Sequence, residues 1–447
     1  MGDCDSMRRL LGDRLNPEKM KTSRRRLAMK SNGRIVLLTL LACVVLISTG
    51  CGYQYKCNVT FGGPPCGSGG TGGLNTTGTG GNSNGGGASD FLYTMPSGGS
   101  GGFILQGAVL SGGTFVTLTG VTLPTVPIGF YSDFDIVNKK FLYIPNTTEN
   151  NGVTGVAEVH TFVVNHSDGS LSAVSGSPFQ TSQTFSDTIA SDNQGKFLFI
   201  GDRGGFNFAG ASIASFLINP TTGALTAAPG SPIPVSGSPN VMAVDGSGKY
   251  LYASFATAGG IMAFNIDQTT GALTPMVGSP FNVNAGTNMT DIKTDSTGKF
   301  LIGTTNTFSN STNPHPDPHL YVISINQTTG ALNTAVPFPT ANLAFAVTTN
   351  PVTPFVYGFT EDTASSPTGI EGFSLDASGT LTPIVGSPFT TLTGGFFGKF
   401  DQNGTQLFYP MPGSKFSVVG ANATTGVLTQ TAPPLLMSTS DVFAVTN

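Results

Sequence analysis

The sharpest chemical constellation in this chain is His315-Pro316-Asp317-Pro318-His319. Side chains alternate in an extended segment, so His315, Asp317 and His319 fall on one side. Two imidazoles and a carboxylate could share one divalent metal ion, and the prolines would stiffen the loop. The spacing matches no established zinc motif, so an exposed polar turn is the competing reading. Other polar residues follow short aromatic and aliphatic runs: Glu149, then Asp202 and Arg203, then Glu361 with Asp362. Together they would make a mixed-charge rim for a polar ligand, or a merely solvated one. Lys293 and Lys399 each stand two residues before an aspartate. Facing a channel they could attract an anion; facing a neighbouring sheet they would pair with acids. No Gly-x-Ser-x-Gly elbow with a His partner occurs, which argues against a serine hydrolase.

What positions these residues is an internal repeat. Asn219-Pro220-Thr221-Thr222-Gly223-Ala224-Leu225-Thr226 returns as Asp267-Gln268-Thr269-Thr270-Gly271-Ala272-Leu273-Thr274 and as Asn326-Gln327-Thr328-Thr329-Gly330-Ala331-Leu332. Weaker copies surround Gly169, Gly379 and Gly426. Asn or Asp opens each turn by bonding the backbone two residues on, and Gly closes it by taking φ > 0. Apolar runs flank every copy, so each reads as a hairpin between two short strands. A Gly-Ser-Pro-Phe stop follows several of them. The six glycines are spaced 54, 48, 59, 49 and 47 residues apart. That period suits four strands per unit.

The rest of each unit follows one grammar. An inner strand ends in Asp or Asn, as in Val241-Met242-Ala243-Val244-Asp245; a Gly-Lys turn follows; then comes an aromatic second strand such as Tyr250-Leu251-Tyr252. Second strands recur seven times, from Phe91-Leu92-Tyr93 to Leu407-Phe408-Tyr409. The first has no inner strand before it, whereas Asp441 to Asn447 reads as an inner strand with nothing after it. The two ends should therefore complete one blade, giving an all-β, seven-bladed propeller over 90–447 with four antiparallel strands per blade. A helical solenoid is excluded because no segment of 90–447 keeps a 3.6-residue apolar period.

Residues 1–50 read as a secretory signal: a basic segment, then the uncharged run Ile35 to Thr49, which at 15 residues is short for a spanning helix. Ile47-Ser48-Thr49-Gly50-Cys51 resembles a bacterial lipobox, which implies lipid on Cys51, export, and a membrane partner at the cell envelope. Ser23-Arg24-Arg25-Arg26-Leu27 also looks like a twin-arginine motif, though an ordinary basic region explains it as well. Cys57 and Cys66 could close a small disulfide loop in an oxidising compartment. Residues 67–88 are almost wholly Gly, Ser, Thr and Asn, so 51–89 reads as a flexible tether. From Cys51 onward the chain has 10 Lys and Arg against 20 Asp and Glu, which speaks against nucleic acid as a partner.

The inner-strand Asp, the Gly-Lys turn, the Thr-Thr-Gly-Ala-Leu-Thr hairpin and the Gly-Ser-Pro-Phe stop together resemble the lactonase-type, or YVTN-type, seven-bladed propellers. The resemblance implies kinship with 6-phosphogluconolactonase and with muconate-lactonising enzymes. Those propellers carry Pro-Arg-His and Pro-His-x-His segments entering inner strands. Here the corresponding segments read Ser238-Pro239-Asn240-Val241 and Gln183-Thr184-Phe185-Ser186-Asp187, so none of the family's Arg or His can be carried over. The expectation is a lipid-anchored, monomeric propeller head that binds a small molecule or protein as a scaffold module, with no cofactor beyond the candidate metal. The alternative is a divergent lactonase or other hydrolase that uses the loop rim.

Overall fold

Seven antiparallel sheets of four or more strands follow one another, with one small extra pairing of Phe103–Ile104 and Thr125–Val126, in the computed structural model, which describes residues 90–447 except 96–102, 112–113, 127–128, 131–132, 151–152, 205–209, 256–259, 283–288, 306–317, 362–366, 393–394, 396, 412–414, 432, 438–442 and 447. They belong to the larger of two units, 52–447. The expectations for the signal, Cys51, Cys57, Cys66 and the tether fall outside the described residues. No helix occurs among those described.

Each of the seven larger sheets is one blade, and in blades 2 to 7 the strands run in chain order from inside to outside. Blade 3 is typical: inner Ser186–Ser191, second Phe197–Asp202, third Ser212–Ile218, outer Leu225–Ala227. Blade 2 has the longest hairpin, its second and third strands being Phe141–Asn150 and Val153–Val164. Second strands are buried along their length in blades 3, 4, 5 and 6, because both sheet faces meet a neighbouring blade. The core is accordingly a series of apolar layers between consecutive blades, as with Tyr143 and Val159 of blade 2 against Leu198 and Phe216 of blade 3.

Ring closure takes the predicted form. Phe443–Val445 pairs antiparallel with Asp90–Thr94, matching Leu92 with Val445 and Thr94 with Phe443. Thr446 N donates to Phe91 O at 2.8 Å, and Phe91 N donates to Thr446 Oγ1 at 2.7 Å. Blade 1 thus takes its inner strand from the C-terminus and its other strands from the start of the head.

The repeated residues hold blades to one another. In blades 3, 4, 5 and 7 the Asp that ends the inner strand binds the turn after it: Asp245 Oδ1 accepts from Lys249 N and Tyr250 N, both at 2.8 Å. Residues at the end of this turn and in the second strand then reach the following blade. Lys140 Nζ donates to Thr221 O at 3.0 Å, the Phe141 ring covers Gly223, and Tyr143 OH donates to Gly223 O at 2.9 Å. The same tyrosine bond joins Tyr93 to Gly169, Tyr252 to Gly330 and Tyr357 to Gly426, at 2.7–2.8 Å. Blade 3 has Phe199 instead, and Ser215 Oγ supplies the bond to Gly271 O at 2.6 Å. In the Gly-Ser-Pro stops the serine Oγ accepts from the third strand, as Ser231 does from Ser215 N at 2.8 Å.

Burial raises the pKa of the Tyr252 phenol, which keeps it a donor across the working pH range. Tyr252→Phe should strand the Gly330 carbonyl in the core and lower stability by about 1–2 kcal/mol. Urea unfolding of the two proteins measures this; equal midpoints would show that the bond contributes nothing net.

Candidate functional site

The turns between inner and second strands lie at one end of the ring, with the Thr-Thr-Gly hairpins, and their polar atoms are largely taken up in joining blades. The loops after the second strands lie at the other end, so sites must be sought there and around the inner strands. Asp202 does not form a rim. It is 1% exposed, and its carboxylate accepts from Thr184 N at 2.8 Å, Phe185 N at 3.1 Å and Gly204 N at 2.7 Å. It shapes the segment leading into the inner strand of blade 3. The Arg203 guanidinium stacks 3.8 Å from the Phe185 ring centroid, holding the same segment by a cation–π contact. Glu361 is also buried, opposite Leu343. Glu149 lies near the tip of the blade 2 hairpin, opposite Thr154. Asp362 lies outside the described residues.

His319 opens the third strand of blade 5 with its ring centroid 6.2 Å from that of Tyr321. His315 and Asp317 lie outside the described residues, and among the described ones no group of three His, Cys, Asp or Glu is placed to hold a metal.

Both inner-strand lysines pair with acids. Lys293 Nζ lies 2.6 Å from Asp291 Oδ1, whose other oxygen accepts from Val347 N of blade 6 at 3.0 Å. Lys399 Nζ lies 2.6 Å from Asp133 Oδ1 and donates to Phe134 O at 2.9 Å and Phe443 O at 3.0 Å. It therefore ties blade 7 to the closing strand of blade 1 and to the start of blade 2. Asp135, nearby, is held above the usual carboxylate range by burial, with Ser191 and Lys399 pulling it back. The position where the family's segment would bring Arg or His holds Asn240, whose Nδ2 donates to Thr290 O at 2.7 Å. A β-bulge there, between Pro239 and Val241, recurs between Ser186 and Thr188 and between Ala344 and Ala346.

One cluster has no counterpart in the sequence reading. In the third strand of blade 2, Glu158 and His160 share a face, with His160 Nε2 at 3.0 Å from Glu158 Oε1. Gln180 Nε2 donates to the other carboxylate oxygen at 3.1 Å. Asn146 stands opposite Glu158 and Ile144 opposite His160. Asn146 is fully buried, and neither its Nδ2 nor its Oδ1 has a hydrogen-bond partner. Burial holds the His160 pKa below its ordinary 6.5, although Glu158 pulls it upward. The ring is therefore neutral at pH 7. As pH falls below 6.5 the unfolded chain takes up the proton first, so this group removes stability on acidification. The available sequence signal is the alternation Glu158-Val159-His160 inside a strand.

The description "Lactonase, 7-bladed beta-propeller" belongs to the family model that matches residues 138–290, which span blades 2 to 4 and all four residues of that cluster. Over those residues the chain resembles the lactonase-type propellers. No curated protein matches it. Among solved structures, a candidate 6-phosphogluconolactonase from Bacteroides fragilis is 19% identical with a TM-score of 0.60, covering 80% of this chain and 98% of that one. The periplasmic gluconolactonase of Pseudomonas aeruginosa is 14% identical with a TM-score of 0.60, covering 80% and 99%. At these identities the likeness is one of fold. Within that fold, this propeller has Asn240 tied to Thr290 of the next blade's segment and its histidine–carboxylate contact at a seam between blades.

Proposed function

We propose that this lactonase-type propeller is an exported hydrolase that opens a lactone ring with water, acting at the end of the ring that carries the loops after the second strands. The observation that carries this reading is a coincidence within residues 138–290. The stretch that matches the lactonase family also holds a His–carboxylate contact, the pairing that general-base hydrolysis needs. An envelope location held by lipid on Cys51 agrees with the leader, and the similar Pseudomonas aeruginosa protein is itself described as periplasmic. Both inner-strand lysines are already paired, which favours an unphosphorylated substrate.

A binding or scaffold module is the second reading, favoured by the replacement of the family's Arg and His segments with Ser238-Pro239-Asn240-Val241 and Gln183-Thr184-Phe185-Ser186-Asp187. Acid release from D-glucono-1,5-lactone at constant pH separates the two. Hydrolysis well above the spontaneous rate is expected. A rate equal to buffer alone, for this and for other sugar lactones, would leave the binding module.

A further inference from the structure

We infer that His160, Glu158 and Asn146, at the seam between blades 1 and 2, form the site that hydrolyses a neutral lactone. This rests on the lactonase reading above and gives it a place and a substrate class. Ile144, opposite His160, packs in the layer that blade 2 shares with Met95 and Leu105 of blade 1 and with Leu123 and Val126 beyond it, so the polar group interrupts an apolar seam. Asn146 points from the same sheet face as Glu158, its cross-strand partner. A buried amide with both polar atoms unpartnered calls for a bound water or ligand to complete it, and the hydrolytic water and lactone carbonyl together supply both partners.

The chemistry follows from the hydrogen bonds. A carboxylate only accepts, so His160 donates Nε2–H to Glu158 and its neutral ring offers Nδ1 as the base. Water oxygen bonds to the lactone carbonyl carbon as one water proton passes to Nδ1. The carbonyl π pair moves onto oxygen, where the Asn146 Nδ2–H groups stabilise the charge. Collapse reforms the C=O and breaks the ring C–O bond. The leaving alkoxide takes the proton back from His160, and the product is the open hydroxy acid. His160 and Asn146 are catalytic residues here. Glu158 is a positioning residue that fixes the tautomer and steadies the transient imidazolium, while Gln180 fixes Glu158. Among the described residues Glu158 has no Lys or Arg beside it; its side-chain partners are His160 and Gln180. Together with the apolar seam, this fits an uncharged ring better than a phosphorylated one.

The test uses the full chain and D-glucono-1,5-lactone, with acid release followed from pH 5 to 8. His160→Gln is expected to lower kcat/KM about 100-fold or more, and Asn146→Ala by a similar factor. Wild type should show an acid limb with an apparent pKa below 6.5, set by His160 with Glu158 as the titrating group beside it. That limb should vanish in His160→Gln, whereas His166→Gln should behave as wild type. Active wild type with both site variants within twofold of it overturns the site and leaves the lactonase reading standing. Inactive wild type overturns that reading, and this inference with it. Should the variants fail to fold, the wild-type profile decides: a flat rate between pH 5 and 6.5 excludes His160 as the base.

Discussion

Removing residues 441–447 should destabilise the head by about 5 kcal/mol or more, enough to take a typical domain to the edge of folding. Phe443 is fully buried, edge-to-face with Phe416 at 4.7 Å between ring centroids and 5.6 Å from Phe397. Deleting a buried phenylalanine side chain alone costs about 3–5 kcal/mol. The truncation also removes the ladder to Leu92, Tyr93 and Thr94 and the three bonds between Thr446 and Phe91. Lys399 loses its acceptor on Phe443, and Asp90–Thr94 becomes an unpaired inner edge. Urea unfolding and limited proteolysis measure the effect, with early cleavage expected in blade 1. Phe443→Ala keeps the backbone bonds, so it should fall between wild type and truncation. A truncated chain as stable and protease-resistant as wild type would mean that the ring does not depend on this closure.

That closure was legible in the sequence because it is a matter of counting: seven second strands, and one inner strand stranded at the far end of the chain. The turns were legible for another reason. A positive φ and an Asx side chain are backbone requirements that few residue types meet, so they leave a mark in one dimension. The site left no such mark. Glu158-Val159-His160 looks like any strand with two polar positions, and its meaning depends on the register that sets Asn146 opposite Glu158. Asp202 misleads in the opposite direction. Following an aromatic strand it reads as a rim acid, yet its carboxylate turns back onto Thr184 and Phe185, which precede it in the chain. Lys293 and Lys399 were ambiguous because alternation gives a strand two faces and the sequence does not say which blade each face meets.

The motifs that carry the family resemblance are thus mostly devices for stacking blades, and the hairpin glycine offers the sharpest way to test this. Gly223 has φ +78°, and a Cβ there would lie 2.4 Å from Cδ1 of Phe141. Gly230 has nearly the same φ, +76°, with nothing within 4 Å of its would-be Cβ. Alanine at Gly230 should therefore meet only the left-handed backbone penalty of about 1–2 kcal/mol. At Gly223 it meets the same penalty and must also displace the fully buried Phe141 ring, adding about 1–3 kcal/mol, and it disturbs the carbonyl that Tyr143 bonds. Gly223→Ala is expected to cost about 2–5 kcal/mol in all. The difference between the two variants in urea isolates the blade-to-blade contact, because the backbone term cancels. A double-mutant cycle with Phe141→Leu should then show coupling of about 1 kcal/mol or more, since a smaller side chain leaves room for the added methyl. Equal losses at Gly223 and Gly230, with no coupling to Phe141, would mean that the glycine serves its own turn and that the aromatic ring above it is incidental.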